Sequence, residues 1–342
     1  MISISDRFKK TSSFAVKETV IKDNIAFRAH FLSSLRKTLE AKNFLEVDTP
    51  ILRYYEDSTD TPLFVTLGPG GWPRLHLRTC PEEYVRRIAG VFGQVFEIAK
   101  SFRNEPISSN KIRTHLLEFT IVEIHKTHID VFESMELLKS VLRDTLSSLG
   151  KLRVRRGALE IDFSVPFQRI NVLDALEKYG GSDAEVEMFV NKHRKCAVTF
   201  IPGEDKKLHD YLDRFVRPHL IQPTFLIHFP TSADQISVKC IKNEALRAEF
   251  DVAGMEVGEV AQLQNDTSIL RQHISQAIKD RHGEIACRQL IDDDYLAEIE
   301  EMPNETCVCG FGLERLLMVL CGSEDIREVI WYPVVSALGC RP

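Results

Sequence analysis

The chain has 342 residues, 44% of them hydrophobic and 27% charged, enough apolar material for a sizeable core in one large or two ordinary domains. A formal net charge of -6 excludes the broad basic footprint of a protein whose main task is gripping nucleic acid. The segment Met1 to Arg7 lacks a charged-then-apolar leader and no stretch reaches the ~18 apolar residues of a membrane helix, so the protein is expected to be cytoplasmic with no membrane partner.

Phe27, Phe31, Leu35 and Leu39 recur every four residues, an apolar stripe that predicts a helix ending near Asn43. Phe44 to Pro50 reads as an extended run closed by a proline. Tyr54 to Trp72 is rich in Asp, Thr, Gly and Pro and reads as a loop or hairpin. Thr79-Cys80-Pro81-Glu82-Glu83-Tyr84 looks like a helix start, with proline at the first helical position and acids in the first turn.

Ser101 to Glu105 and Arg113 to Glu123 read as two strands around a loop. Residues two apart on a strand share a face, so Arg103 and Glu105 are expected to point one way, and Phe119, Glu123 and His125 to point together. Such a hairpin offers a cation for phosphate, an acid for an exocyclic amine and a ring for stacking. An ordinary amphipathic hairpin with its charges in water fits the strand pattern equally well.

A helix follows over about Val131 to Leu149, with Phe132, Met135, Leu138 and Val141 on one face. Residues from about 165 to 222 mix short helical patterns with little strand signal and read as an insertion, and strands resume at Pro223 to Pro230 and from Arg247 through Val260. The last pattern, Cys309 to Leu320, places Gly310 and Gly312 before a helix apolar nearly all round, with Arg315 in its first turn. Glycines that let backbone approach closely and an arginine near a helix N-terminus suit a polyphosphate; a tight strand-to-helix turn explains the glycines as well. The eight cysteines are scattered without a CxxC set and are expected to be reduced thiols.

In order, helix-strand-proline, then Phe102-Arg103-Asn104-Glu105 with the Glu118-Phe119 strand, then Gly310 to Arg315, resemble the three signature motifs of class II aminoacyl-tRNA synthetases over roughly residues 20 to 335. Within that class the lysine, aspartate and asparagine subgroup fits best, because Thr79 to Glu82 resembles the lysine enzymes' substrate-binding turn. Motif 1 begins after only about 20 residues, so the anticodon-reading OB-fold of full-length members is not expected. Short paralogues of this layout resemble the elongation factor P lysine ligase, and Gln222 to Pro230 is also similar to that ligase.

The resemblance implies an α+β fold: one class II catalytic domain over residues 1–342, an antiparallel sheet flanked by helices with a helical insertion at about 165–222, assembled as a homodimer. It implies that Arg103 contacts the α-phosphate and substrate carboxylate, Glu105 the adenine amino group and Phe119 the adenine face. His115 and Arg315 would lie near the outer phosphates, with Arg113, Val260 and Gly312 also lining the nucleotide site. On the same resemblance Arg103 and Arg315 would be the catalytic pair. Two registers compete for the Mg²⁺ carboxylate. Gly254-Met255-Glu256-Val257 mimics the lysine enzymes but puts Leu263 where they have the amine-reading acid. Glu259-Val260-Ala261-Gln262 resembles the ligase and brings Asp266, with Arg271, into match; this second register is preferred, making Glu259 the metal ligand, because it leaves no buried cation unpaired.

Cys80, Glu82, Glu123, His125, Gln262 and Asp266 would then line the amino-acid pocket. Its acids suit a substrate with an extra amine, and no evident arginine or lysine reads an acidic side chain. Three features depart from the lysine pattern: Asp for Glu at 266, His for Tyr at 125, and a His115 to Phe119 segment closer to asparaginyl enzymes. The expected reaction is Mg²⁺-ATP-dependent adenylation of a lysine-like amino acid and transfer to an amine on elongation factor P, another protein or a small molecule; tRNA is not the expected acceptor. An amide-forming relative of the asparaginyl enzymes and a non-catalytic regulatory paralogue are the alternatives.

Overall fold

The computed structural model describes residues 18–55, 62–68, 74–105, 111–181, 183–195, 204–230, 238–241, 244–282 and 290–334. Cys196, Cys287, Cys340 and much of the Tyr54 to Trp72 loop lie outside them.

Helix α1 (Glu18–Ala41) carries the expected stripe, with Phe31, Leu35 and Leu39 fully buried, and gives way at Asn43 (φ 64°) to β1 (Leu45–Glu46). Strands β2 (Leu52–Arg53), β3 (Val65–Leu67) and β4 (Arg74–Leu77) form a small separate sheet. Helix α2 (Glu82–Phe92) starts one residue later than the proline rule places it, with Pro81 as its cap. Next come β5 (Gln94–Phe102), β6 (Glu118–Thr127) and α3 (Val131–Ser148), which opens on an Asp130/Glu133 capping box.

A hairpin, β7 (Arg153–Arg156) and β8 (Leu159–Asp162), has no counterpart in the sequence reading. The insertion begins on a strand, β9 (Gln168–Asn171), and continues as α4 (Val172–Tyr179), α5 (Ala184–Lys195) and α6 (Glu204–Tyr211). After β10 (Thr224–Pro230) and β11 (Cys240–Ile241), strands β12 (Glu244–Val252) and β13 (Met255–Gln262) form a hairpin about Ala253-Gly254, both at positive φ. Helices α7 (Thr267–His282) and α8 (Asp293–Glu300), strand β14 (Thr306–Gly312) and helix α9 (Leu313–Cys321) complete the order.

The main sheet runs β1-β5-β6-β14-β13-β12-β10-β9, with β11 added to β12. Its centre is antiparallel, as expected for the fold, while β1 on β5 and β9 on β10 are parallel. Alternation sorts the side chains. On one face Phe96, Val122, Ile124, Phe311, Val260 and Phe250 are at most 1% exposed and pack in one apolar cluster with residues of α1, α3 and α9. On the other face stand Glu97, Glu123, His125, Glu259, Glu249 and Arg247. The insertion buries a second cluster against this polar face at β10, and α7 and α8 bury a third with Met302. The functional side chains sit between these flanks. Among the described residues no helix is long and apolar enough to cross a membrane.

Candidate active site on the polar face of the sheet

Register places four carboxylates in one row across five strands. Glu97 pairs with Glu123, Glu123 with Gly310, Gly310 with Glu259, and Glu259 with Glu249. Directly opposite side chains on neighbouring strands lie about 5 Å apart, so only the glycine opens a gap in the row. A Cβ on Gly310 would meet the Glu123 carboxylate at 3.6 Å, an ordinary contact.

Each acid in the row meets different surroundings. Glu97 is fully engaged: Arg78 lies 2.8 Å away as an ion pair, and the Thr49 hydroxyl donates to it at 2.6 Å. Glu123 is 6% exposed, and burial together with Glu97 pushes its carboxyl up to about 8. Its Oε2 shares a 3.1 Å hydrogen bond with His125 Nε2, and burial holds the His125 imidazole down near 4. The protein packed around Glu259, with Glu249, Glu256 and Glu82 adding and Arg247 opposing, raises its carboxyl to about 7, although its side chain is 39% exposed. Glu249 binds two guanidiniums, Arg217 at 2.6 Å and Arg247 at 3.0 Å.

One end of this face is built for an anion. Arg315, in the first turn of α9, donates to the carbonyls of Glu256 (3.1 Å) and Thr114 (3.3 Å) and to His115 Nε2 at 3.0 Å. Burial, then Arg315 and Lys111, lower the His115 imidazole to about 4, so it stays a neutral acceptor that leaves the arginine's charge uncancelled. The Arg103 guanidinium lies over the Phe119 ring, 5.3 Å from its centroid.

The two metal registers are not exclusive in three dimensions. Glu256 and Glu259 are three residues apart, and in a regular strand they would face opposite ways. A bulge shifts the register, pairing Glu256 with Asp251 and Glu259 with Glu249, so both acids join one face. Among the described residues, the groups close enough to share a cation are His209, Glu249 and Glu256, whose ligand atoms all lie within 4.8 Å of one another. Burial pushes the Glu256 carboxyl up, but Arg217, Arg315, His209 and Arg247 together outweigh it and hold the acid near 2, fully ionised. Two carboxylates suit Mg²⁺, and His209 adds a nitrogen donor.

The sequence-derived set is therefore only partly gathered here. Phe119, Glu123 and His125 share a face as expected, and Arg103, His115, Gly312 and Arg315 lie around its anion end. Arg103 and Glu105 fall beyond β5, so strand alternation does not orient them. Glu82, half-buried on α2 next to Cys80, acts electrostatically on both His125 and Glu259 and so belongs to the same cluster. Gln262 is buried, its amide donating to the Asn304 carbonyl at 3.3 Å. Arg113 is exposed, and its carbonyl accepts from the Ile326 N–H.

Three expectations are corrected. Glu259 stands opposite Glu249 in the row and 3.4 Å from Arg247, but it is Glu256, turned to the same face by the bulge at Val257, whose ligand atom lies within 4.8 Å of both His209 and Glu249. Val260 is fully buried on the apolar face, where its side chain cannot meet a ligand. Asp266 is exposed and caps α7, accepting from the Ser268 and Ile269 N–H groups at 3.0 and 3.2 Å; Arg271 likewise turns outward to Asp293. With Asp266 outside and Leu263 fully buried beside Ala261 and Val308, the floor beyond the acidic row is apolar.

Arg78, Glu249, His209 and Arg217 were missed. Charge alternation along Arg247-Ala248-Glu249-Phe250-Asp251 was the available signal for Glu249. Arg217 and His209 carry none, since only the packing of the insertion brings them across.

The family model for class II tRNA synthetases (D, K and N) matches residues 7–336. A lysine–tRNA ligase of Methanoculleus marisnigri is 30% identical over 344 residues, covering 97% of this chain and 66% of that protein. One from Clostridium botulinum (strain Langeland) is 30% identical over 329 residues, 92% of this chain and 64% of its own length. One from Clostridium perfringens (strain 13) is 28% identical over 346 residues, with 96% and 68% covered. The chain thus spans about two thirds of the length of these relatives, and slightly less for the first two.

Proposed function

The chain belongs to the class II tRNA synthetases of the D, K and N group, and from that premise we propose that it is an ATP-dependent, AMP-forming ligase that activates a lysine-type amino acid and passes it to an amine. One juxtaposition supports this most: an anion end formed by Arg315, His115 and Arg103 on Phe119 adjoins a row of acids opened by Gly310. A nucleotide and an amine-bearing acid would lie there side by side.

In the first step a carboxylate oxygen of the amino acid attacks the α-phosphorus and pyrophosphate leaves. Arg103 aligns the two reactants and neutralises the charge that builds between them, while Phe119 takes the base and Arg315 the outer phosphates. Loss of one such contact costs roughly 3 kcal/mol, or ~100-fold in rate. Glu249 and Glu256, with His209, would hold Mg²⁺, which supplies further neutralisation of phosphate charge. In the second step the acceptor nitrogen attacks the activated carbonyl, AMP departs and the amine sheds a proton. No protein nucleophile is required.

The acceptor proposed is a protein lysine, with elongation factor P as the candidate suggested by the likeness of Gln222 to Pro230 to that factor's lysine ligase, or a small-molecule amine. Exposed Leu45, Ile51, Leu52 and Val65 around the first motif support a homodimer. Pyrophosphate exchange across a panel of amino acids including lysine and β-lysine tests the reading. Exchange with an amine-bearing member is the expected result, and none with any amino acid would overturn it.

A further inference from the structure

Strand β10 does not keep its alternation to the end. Phe225 and Ile227 pack into the cluster shared with α1, α3 and α9, and Leu226 into the one beneath the insertion, so regular pleating would return Phe229 to the first. It lies in the second. The pairing with β12 passes from Ile227 opposite Ala248 to Phe229 opposite Ala245, so that His228 alone spans Leu246 and Arg247. His228 does so in a left-handed conformation (φ 61°), which a side chain disfavours. The consequence of this local strain is that the Phe229 ring turns onto the polar face of the sheet.

There the ring meets Arg247. The guanidinium lies over it, 4.0 Å from the centroid, the closest such contact among the described residues, and both side chains are at most 5% exposed. The ring holds the guanidinium from one side while its N–H groups reach the site. Nη2 donates to Glu249 Oε1 at 3.0 Å and lies 3.4 Å from His209 Nε2, and Nη1 donates to Glu259 Oε1 at 3.4 Å. Arg217 donates to the other Glu249 oxygen at 2.6 Å. Glu249, 1% exposed, thus has each oxygen fixed by one guanidinium, and each oxygen keeps a lone pair for a further partner. Glu256 and His209 offer their own ligand atoms within 4.8 Å of it.

We propose that Arg247, braced on Phe229, is a positioning residue of the cation site: the ring fixes the guanidinium, and the guanidinium fixes the Glu249 carboxylate between Glu256 and His209 before an ion arrives. The inference rests on the reading of these three residues as the metal ligands. Carboxylates that hold a metal are themselves held by hydrogen bonds, and loss of such a hold lowers affinity by roughly ten- to a hundredfold. Arg247 is also a cation beside a cation site, and its charge alone would repel an ion. The two effects have opposite signs, so variants that keep the charge isolate the positioning.

Mn²⁺ binding to the full chain, followed by loss of the free ion's paramagnetic resonance signal, tests this without turnover. The unmodified protein should bind Mn²⁺, and Arg247→Lys and Phe229→Leu, which both preserve charge, should each weaken binding about tenfold. Phe229→Leu placed in the Arg247→Lys background should weaken it by less than about threefold more, because the ring acts through the arginine. A ring that merely fills the insertion's cluster would cost the same in both backgrounds, and that result overturns the proposal. Urea midpoints establish which variants are folded, and a folded single variant whose affinity stays within about twofold of the parent's also overturns it. The two readings fail separately. No Mn²⁺ binding by the unmodified protein sinks the metal site itself, whereas parent binding that the variants leave unchanged sinks only the role of Arg247.

Discussion

Replacing Glu314 by alanine should cost about 3 kcal/mol of stability. Strand β14 turns into α9 at Gly312, so β6 loses its neighbour at Thr120. The Glu314 carboxylate takes the place of the missing strand: Oε2 accepts the Thr120 N–H at 2.8 Å, and Oε1 pairs with Arg28 at 2.9 Å. Arg28 in turn donates to the Thr120 hydroxyl at 2.9 Å. Glu314 is 1% exposed, so alanine leaves a buried N–H without its acceptor, a loss of ~1–3 kcal/mol. It also strips a guanidinium of its partner, for which ~3–5 kcal/mol is usual when fully buried and less here, since Arg28 remains 16% accessible. Both losses occur at one carboxylate and do not add in full. Glu314→Gln keeps an acceptor for Thr120 and should cost only about 1 kcal/mol. Urea denaturation followed by circular dichroism measures both, and Arg28→Met with Glu314→Gln closes a double-mutant cycle for the ion pair. Equal losses for the two Glu314 variants, or an alanine loss below about 0.5 kcal/mol, would refute the carboxylate's role as a strand substitute.

Gly310→Ala should leave thermal stability nearly unchanged, since its Cβ meets only ordinary contacts, yet lower amino-acid activation at least tenfold by filling the gap in the acidic row; a proportionate loss of stability would show the glycine to be structural. Arg103→Ala should reduce pyrophosphate exchange ~100-fold or more, and retained exchange would remove Arg103 from the phosphate site. Glu256→Gln should raise the Mg²⁺ concentration needed for half-maximal exchange and, because Arg217, Arg315, His209 and Arg247 favour the ionised acid, also lower the urea midpoint somewhat; an unchanged Mg²⁺ requirement would remove Glu256 from the metal site. Acid should destabilise the protein through His115 and His125: the unfolded chain takes up these protons near pH 6.5, the folded one only near 4, so stability falls as pH drops through that window, by up to ~3 kcal/mol per group. Glu123 has the opposite sign, its contribution falling as pH rises from 4.5 to about 8, so His125→Gln should roughly halve the acid limb, His115 supplying the rest, and leave the alkaline one.

By itself the sequence determined the elements that carry the three motifs and their order, but not the β7–β8 hairpin, β9, α7 or α8. The Phe27 to Leu39 stripe, the proline-led α2 and the apolar α9 are set by local periodicity and capping, which act within a few residues and so can be read in a single chain. Period-two alternation also put Phe119, Glu123 and His125 together correctly, because β6 is regular. Only the tertiary structure decided where neighbouring strands stop and slip. The bulge at Val257 brings Glu256 and Glu259 to one face, which no count along the chain reveals, since the extra residue is defined only against β12. Asp266 and Val260 were misplaced for the same reason: helix capping claims the first and sheet parity the second, and both depend on where β13 ends and which face is covered. His209 and Arg217 reach Glu249 from an insertion that separates them in sequence by more than thirty residues, so their charges meet only once the helices of that insertion have packed against β10.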